Sequence, residues 1–250
     1  MSDVILGAYH GGLGDNLQFS TLPEEFYKQH GRETYLVDGS DFRNKEIYDL
    51  VWGMNPYIKG IKEGPRNAGD LPEYTEKKRT GNWIKDWELV HGLEPVNERP
   101  KVYYEPKKFD DLAGHFLVDL SSITINHHNT GYGYDLKEVE RTYQNIRTRF
   151  AKNTFLSIEF NNYVGEINKF NVNSDGISKV SSIFNYCDQL NSVDGIVCFY
   201  SGSMVLATAI QRYNPNLKIL CITPPSVYNS ERTQKKGIFY FDFVEYIVTE

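Results

Sequence analysis

The sequence predicts an α/β protein with two parallel-sheet domains, and three observations lead to this fold class. Apolar runs of strand length alternate with segments of helical periodicity in both halves of the chain. The alternation is clearest in the C-terminal half, where helices separate successive strands. A proline-rich stretch over 94–108 lies between the halves. We therefore expect two domains, 1–108 and 109–250, whose strand ends face each other across a ligand cleft.

The N-terminal half begins with a short apolar strand and becomes less regular beyond residue 40. Pro23 is expected to interrupt the first helix, and Gly31 is expected to end it. Residues 40–80 contain scattered glycine and proline with few apolar periodicities, so no element is predicted there. The predicted elements are a strand at 4–6, a helix at 16–29, a strand at 34–37 and a helix at 83–90.

The C-terminal half alternates strand and helix throughout. Runs of apolar and β-branched residues predict strands at 116–125, 155–158, 195–200 and 217–222. Helical spacing predicts helices at 136–150, 177–190 and 202–213. The order β-α-β-α-β-α-β implies a parallel sheet that is covered by helices on both faces.

Composition narrows the classes of function. The formal net charge is −6, so we expect no general attraction to nucleic acid or to an anionic membrane. The three cysteines are odd in number and have no paired spacing, and Cys198 and Cys221 are predicted to be small buried strand residues. No Cys/His group has zinc spacing, and no segment approaches the ~20 apolar residues of a membrane span. Since a signal-peptide core is also lacking, we expect a cytoplasmic protein without a membrane span.

The first candidate site is the glycine-rich turn that follows the strand at 4–6. Its glycines allow a sharp turn and a close backbone approach to a ligand, and Asp15 places a carboxylate at the mouth of the turn. The alternative is a tight turn in which Asp15 is only the N-cap of a helix. The residues of this candidate site are His10, Gly11, Gly12, Gly14, Asp15 and Asn16.

The second candidate site repeats this pattern after the strand at 195–200. Ser201 and Ser203 offer hydroxyl groups, Gly202 allows close approach, and the following helix presents its positive dipole end to an anion such as a diphosphate. The alternative is a serine N-cap on a buried helix. Two further candidates, His127 and Glu159, follow successive predicted strands and are expected at the same edge of the sheet. The alternatives are a glycine-rich surface loop for His127 and a strand-end turn for Glu159.

These motifs resemble those of the heptosyltransferase-like GT-B glycosyltransferases, glycosyltransferase family 9. The resemblance lies in Gly11-Gly12-Leu13-Gly14-Asp15, with Thr21-Leu22-Pro23 downstream, and in the segment 201–209. In that family the second motif reads roughly Asp-Ser-Gly-x-x-His-x-Ala, whereas Tyr200 and Val205 stand here at the Asp and His positions. The resemblance implies a compact GT-B-like fold with two Rossmann-like domains.

The resemblance also implies roles for the candidate residues. Asp15 would be the general base in an acceptor-side domain, 1–108. The donor-nucleotide domain, 109–250, would hold the diphosphate at the Ser201–Ser203 turn, without a metal or other cofactor. The donor contacts expected in this domain, with His127 included for its position at the edge of the sheet, are Tyr200, Ser201, Gly202, Ser203, His127 and Glu159.

The function predicted from the sequence is transfer of a sugar from a nucleotide-diphosphate sugar to an acceptor hydroxyl. The acceptor is expected to be a glycan, with a modified DNA base as a second possibility that the acidic balance disfavours. One alternative is a non-catalytic nucleotide-sugar-binding protein. Another is a nicotinamide-dependent oxidoreductase, since Asp38 follows the second strand, although the loop lacks the full Gly-x-Gly-x-x-Gly fingerprint.

Overall fold

The computed structural model describes residues 3–8, 11–64, 80–122, 133–161, 168–228 and 241–249. The chain divides into two compact units. The N-terminal unit comprises Met1–Tyr104 with Lys236–Phe241, and the C-terminal unit comprises Glu105–Lys235 with Asp242–Glu250. The boundary between Tyr104 and Glu105 falls inside the proline-rich stretch, for which no helix or strand is assigned from 94 to 108.

The N-terminal unit contains a parallel sheet with the strand order β1-β2-β3. Its short helices end or begin at residues suited to those positions: Gly31 ends α2 in the left-handed conformation at φ 64°, and the Asn82 side chain caps α4. The elements are β1 (Val4–Leu6), α1 (Leu13–Leu17), α2 (Leu22–His30), β2 (Thr34–Val37), α3 (Lys45–Tyr48), β3 (Ile58–Lys62) and α4 (Trp83–Val90).

The C-terminal unit contains a larger parallel sheet with the strand order β11-β10-β9-β4-β6-β8, and a short antiparallel pair of β5 with β7. Its core packs aromatic and aliphatic side chains of β4, β6, β9 and β10 against α5. The elements are β4 (His115–Asp119), β5 (Ser121–Ser122), α5 (Leu136–Arg149), β6 (Thr154–Phe160), β7 (Asn168–Lys169), β8 (Gly176–Val180), α6 (Ile183–Ser192), β9 (Gly195–Phe199), α7 (Gly202–Ile210), β10 (Lys218–Thr223), α8 (Pro225–Tyr228) and β11 (Glu245–Val248).

The predicted fold class is confirmed, since parallel strands and helices form two units. Three predicted helices were wrong in extent, and the one at 202–213 ends at Ile210. The helix at 16–29 is two helices, and Pro23 lies in the first turn of α2, where its missing N–H costs no hydrogen bond. The helix at 177–190 begins at Ile183 because Ser182 caps it, and the residues before it form β8.

Further elements differ from the sequence-based prediction, including α3 (Lys45–Tyr48), which lies in the region where no element was predicted, and β7. The strand at 116–125 leaves the parallel sheet after Asp119, and β5 then pairs with β7. No strand was predicted at β3, where half-exposed residues alternate with exposed ones, or at β11 on the edge of the larger sheet. Such edge strands lack the continuous apolar run that marks a central parallel strand.

Candidate functional site

The glycine turn after β1 leads directly into α1. Gly12 is the N-cap residue of α1, with φ −69° and ψ 152°, so Asp15 is the third helical residue and not the cap. The alternative that Asp15 is an N-cap is therefore wrong. The Asp15 carboxylate instead folds back over Gly12, where an added Cβ would lie 2.4 Å from Asp15 Oδ2. Glycine at position 12 thus leaves the space that this carboxylate occupies.

The segment after β2 lies against the same turn. Arg43 N donates a 2.9 Å hydrogen bond to Gly11 O, and Asp41 N donates a 2.7 Å bond to Ala8 O. A Cβ at Gly11 would be 2.7 Å from Arg43 N, so this approach of the two backbones requires glycine. Arg43 Nη2 lies 3.6 Å from the position of a Cβ at Gly12. Arg43 was not predicted as a site residue, because it lies in the region without predicted elements.

Polar side chains beneath the turn hold α1 in place. Asn16 is fully buried, donates from Nδ2 to Gly12 O at 2.9 Å, and accepts from Trp52 Nε1 at 2.8 Å. Gln18 accepts from both Trp83 Nε1 and Trp87 Nε1, at 2.8 and 3.0 Å. The side chain of Gln18 also donates to Asp15 O at 2.7 Å. Asn16 therefore supports the turn from inside the unit rather than facing solvent.

The second candidate turn follows β9 and leads into α7. Ser201 is the N-cap residue of α7, but its side chain makes no capping hydrogen bond, and its buried Oγ has no partner among the described residues. Ser203 Oγ donates a 2.5 Å hydrogen bond to Asp119 Oδ2. The hydroxyl proton of Ser203 is thus directed at a carboxylate and away from any ligand.

Asp119 is a buried carboxylate at the end of β4, only 2% exposed. Besides Ser203 it accepts hydrogen bonds from Ser121 Oγ and, at 3.1 Å, from Tyr186 Oη. Complete burial, together with the neighbouring Asp119 carboxylate, raises the pKa of Tyr186 well above its ordinary value. Asp119 was not predicted as a site residue, although a single acidic residue within the apolar strand predicted at 116–125 could have identified it.

The strand order places Asp119 and the Ser201–Ser203 turn at a topological switch point. The chain passes from β4 to β6 and β8 on one side, then returns to β9, β10 and β11 on the other. β4 and β9 are paired neighbours, with Asp119 opposite Cys198. In open parallel sheets, ligands bind outside the carboxyl ends of the strands at such a point.

The remaining predicted donor residues are spread along this edge. Tyr200 N donates to Tyr134 Oη at 3.4 Å, and Tyr134 packs against Phe199 with ring centroids 4.1 Å apart. Glu159 is exposed near the end of β6, which β4 separates from β9. His127 and His10 lie outside the described residues.

The cysteines are free and buried, which confirms the prediction for Cys198 and Cys221. Among the described residues, no three His, Cys, Asp or Glu side chains are grouped so as to hold a metal ion. Within that same part of the chain, no helix combines the length and apolar character needed to cross a membrane.

No family model matches the sequence, and no curated protein matches it. Solved structures do match. The dodecameric iron-containing heptosyltransferase TibC of enterotoxigenic E. coli, solved with ADP-D-beta-D-heptose, aligns with a TM-score of 0.61 at 14% identity over 98% of this chain. A glycosyltransferase family 9 protein from Veillonella parvula aligns with a TM-score of 0.58 at 9% identity, covering 98% of this chain and 85% of that protein.

The chain has a GT-B-like fold. E. coli heptosyltransferase WaaC, solved with ADP, also aligns, with a TM-score of 0.54 at 7% identity over 98% of this chain and 93% of WaaC. This chain spans 62% of the length of TibC. The fold implied by the two short motifs is therefore confirmed by structures whose sequences are almost unrelated to this one.

Proposed function

We propose that this protein is a metal-independent glycosyltransferase that moves a sugar from a nucleotide-diphosphate sugar to an acceptor hydroxyl. The observation that carries the proposal is the position of its two motifs. In a fold that heptosyltransferases share, each motif follows the carboxyl end of a parallel strand, where such sheets bind ligands. The assignment of acceptor and donor roles to domains 1–108 and 109–250 belongs to the same proposal.

Asp15 is the proposed general base. Its carboxylate lies over Gly12, and the residue is partly exposed. The acceptor hydroxyl gives its proton to Asp15 while its oxygen forms a bond to the anomeric carbon of the donor sugar. The bond from that carbon to the diphosphate oxygen breaks, and the nucleoside diphosphate leaves with the electron pair. Proton transfer of this kind requires the hydroxyl within about 3 Å of the carboxylate.

The diphosphate is proposed to bind at the first turn of α7. Because the hydroxyl proton of Ser203 is held by Asp119, the donors proposed for an anion there are backbone N–H groups of the first turn of α7 and the Ser201 hydroxyl, which has no partner among the described residues. The N–H donors are aligned with the helix dipole, which favours negative charge on the departing diphosphate. Tyr200, His127 and Glu159 remain proposed contacts to the rest of the donor.

Proteins of this fold suggest the first donor to test. TibC was solved with ADP-D-beta-D-heptose and WaaC with ADP, so ADP-sugars are the first donors to assay. The acceptor is proposed to be a glycan or another hydroxyl compound. A base in DNA is less favoured, because the net charge of −6 does not attract a polyanion.

The experiment that tests this function compares wild-type protein with Asp15→Asn in a sugar-transfer assay. Loss of the base should lower turnover by about 10²- to 10⁴-fold, while ADP affinity measured by calorimetry stays unchanged. Asp110→Asn, in an exposed turn of the C-terminal unit, is the matched control and should behave as wild type. Near-normal transfer by Asp15→Asn would reject the base assignment.

A non-catalytic nucleotide-sugar-binding protein is the second candidate. It is favoured by Tyr200 and Val205, which replace the Asp and His of the family motif. Slow hydrolysis of a nucleotide sugar in the absence of acceptor separates the two candidates. Hydrolysis that depends on Asp15 favours the enzyme, whereas binding with no hydrolysis and no transfer favours the binding protein.

A further inference from the structure

We propose that Arg43 is a substrate-binding residue whose guanidinium takes an anionic oxygen next to the hydroxyl that Asp15 deprotonates. The identity of that neighbouring hydroxyl rests on the proposed function. The anion site itself rests on the geometry of the glycine turn. A phosphate or carboxylate oxygen fits it, because a guanidinium fork binds both through paired N–H donors.

The backbone fixes the position of Arg43. Its N–H is bonded to Gly11 O at 2.9 Å, and the preceding Asp41 N is bonded to Ala8 O at 2.7 Å. On its other side, Asn44 caps α3 by accepting from Ile47 N at 2.9 Å. The backbone of Arg43 is therefore held between the glycine turn and a capped helix, which fixes the position of its Cα atom.

The guanidinium lies over the same glycine as the Asp15 carboxylate. Arg43 Nη2 and Asp15 Oδ2 are 3.6 and 2.4 Å from the position that a Cβ at Gly12 would take. Arg43 is exposed, and its side chain has no hydrogen bond or ion pair with the residues that the structure describes. A guanidinium left available beside a carboxylate on the ligand edge of the sheet is suited to an anionic substrate group.

Two lysines of the same unit, unlike Arg43, are paired with carboxylates. Lys45, two residues along, pairs with Asp49 at 2.5 Å, and Lys62 pairs with Asp3 at 2.5 Å. Lys45 is thus a matched control, because Lys45→Gln removes the same charge from the same segment without touching the glycine turn. Any effect of net charge alone will appear in both variants.

Two sources could supply the anionic oxygen, and two probes separate them. ADP alone, titrated by calorimetry, reports a donor diphosphate at Arg43. Inorganic phosphate, titrated into protein already saturated with ADP, reports an anionic group of the acceptor. Arg43→Gln is compared with wild type and Lys45→Gln, and thermal unfolding verifies that all three proteins are folded.

A donor contact predicts that Arg43→Gln weakens ADP binding at least about tenfold, the usual cost of a charge-assisted hydrogen bond. An acceptor contact predicts unchanged ADP binding, with phosphate binding to the ADP-saturated protein weakened to a similar degree. In either case Arg43→Lys restores part of the affinity, and Lys45→Gln changes neither probe by more than about twofold. Unchanged affinity for both probes in Arg43→Gln, or an equal loss in Lys45→Gln, overturns the proposal.

These outcomes are distinguishable from failure of the proposed function. If Arg43→Gln loses probe binding but the wild type transfers no sugar, the anion site stands and the transferase assignment fails. If Asp15→Asn abolishes transfer while Arg43→Gln binds both probes normally, the transferase assignment stands and the anion site fails.

Discussion

The turn before α1 and the turn before α7 each join a buried strand to a helix through small residues. At α1, a carboxylate and a guanidinium, those of Asp15 and Arg43, lie over Gly12. At α7, the Ser203 hydroxyl is bonded to the buried Asp119, and the Ser201 hydroxyl is itself buried. The first turn therefore offers charged side chains to a ligand, whereas the second offers mainly its backbone. The same sequence pattern locates both turns but leaves open which atoms face the ligand.

The largest expected difference between the two turns concerns stability. Asp119→Ala removes the acceptor of three hydroxyl groups, one of them on the fully buried Tyr186, so we expect a loss of about 3–4 kcal/mol in the free energy of unfolding. Asp15→Ala, at a partly exposed position, should lower it by about 1 kcal/mol or less. Urea unfolding of both variants measures this. Equal losses would mean that Asp15, like Asp119, is a structural group.

A second difference concerns catalysis. Gly12→Ala places a methyl group 2.4 Å from the present position of Asp15 Oδ2, so the carboxylate must move. We expect sugar transfer to fall about a hundredfold, since misplacing a reacting group by about an ångström has that cost. Affinity for ADP should not change. Gly53→Ala, whose added carbon would make ordinary contacts of 3.4 Å or more, is the control. A fully active Gly12→Ala would contradict the proposed geometry of the base.

The N-terminal unit should also respond to acid through Glu24 in α2. Burial opposes ionisation of Glu24, but hydrogen bonds from Lys101, Lys28 and Tyr103 outweigh it and hold its pKa at about 2, against an ordinary 4.5. Since folding lowers this pKa, the stabilisation is complete above pH 4.5 and is lost as the pH falls towards 2. We expect a loss of about 2 kcal/mol over that window.

Urea unfolding across this pH range measures the effect of Glu24. Glu24→Gln cannot ionise, so its free energy of unfolding should depend less steeply on pH than that of the wild type. Parallel pH profiles for the two proteins would show that the paired carboxylate contributes nothing to stability.

The smallest expected effect concerns ADP binding by the backbone of the turn before α7. Gly202→Val puts a β-branched side chain at the first residue of α7 and obstructs close approach of a diphosphate, so ADP affinity should fall about tenfold. The free energy of unfolding should change much less. Calorimetry with and without a chelator measures both this loss and the proposed independence from metal ions. Unchanged ADP affinity would show that the diphosphate does not bind at this turn. Strict dependence of ADP binding on magnesium would reject metal independence.

Much of the fold was predictable from the sequence because several of its parallel strands are continuous apolar runs bounded by glycine or charge. β1, β2, β9 and β10 were all predicted within about a residue of each bound. β8 was mistaken for helix because Ile177, Val180 and Ile183 fall at a helical spacing, although Ile177 is 64% exposed. Residues 176–180 form a strand because they pair with β6, which is a non-local interaction.

The candidate site was predictable in place but not in detail. Both turns lie where the motifs predicted, and the roles of their residues stay proposals. Asp119 and Arg43 were missed because each acts through a partner far away in the sequence: Ser203 is 84 residues from Asp119, and Gly12 meets Arg43 only after β2 has paired with β1. The single acidic residue in an apolar strand could have marked Asp119, but a local pattern does not identify a partner so far away in the sequence.

The indole contacts around α1 have a practical consequence. The chain contains three tryptophans, and each donates its indole N–H to a side chain of this short helix or its C-cap, either Asn16 or Gln18. Tryptophan fluorescence of the unlabelled protein, excited at a wavelength that tyrosine does not absorb, therefore arises from the surroundings of the helix that carries Asp15. A titration followed by this tryptophan emission senses events at the glycine turn, while the six-stranded sheet, which lacks tryptophan, contributes no tryptophan emission of its own.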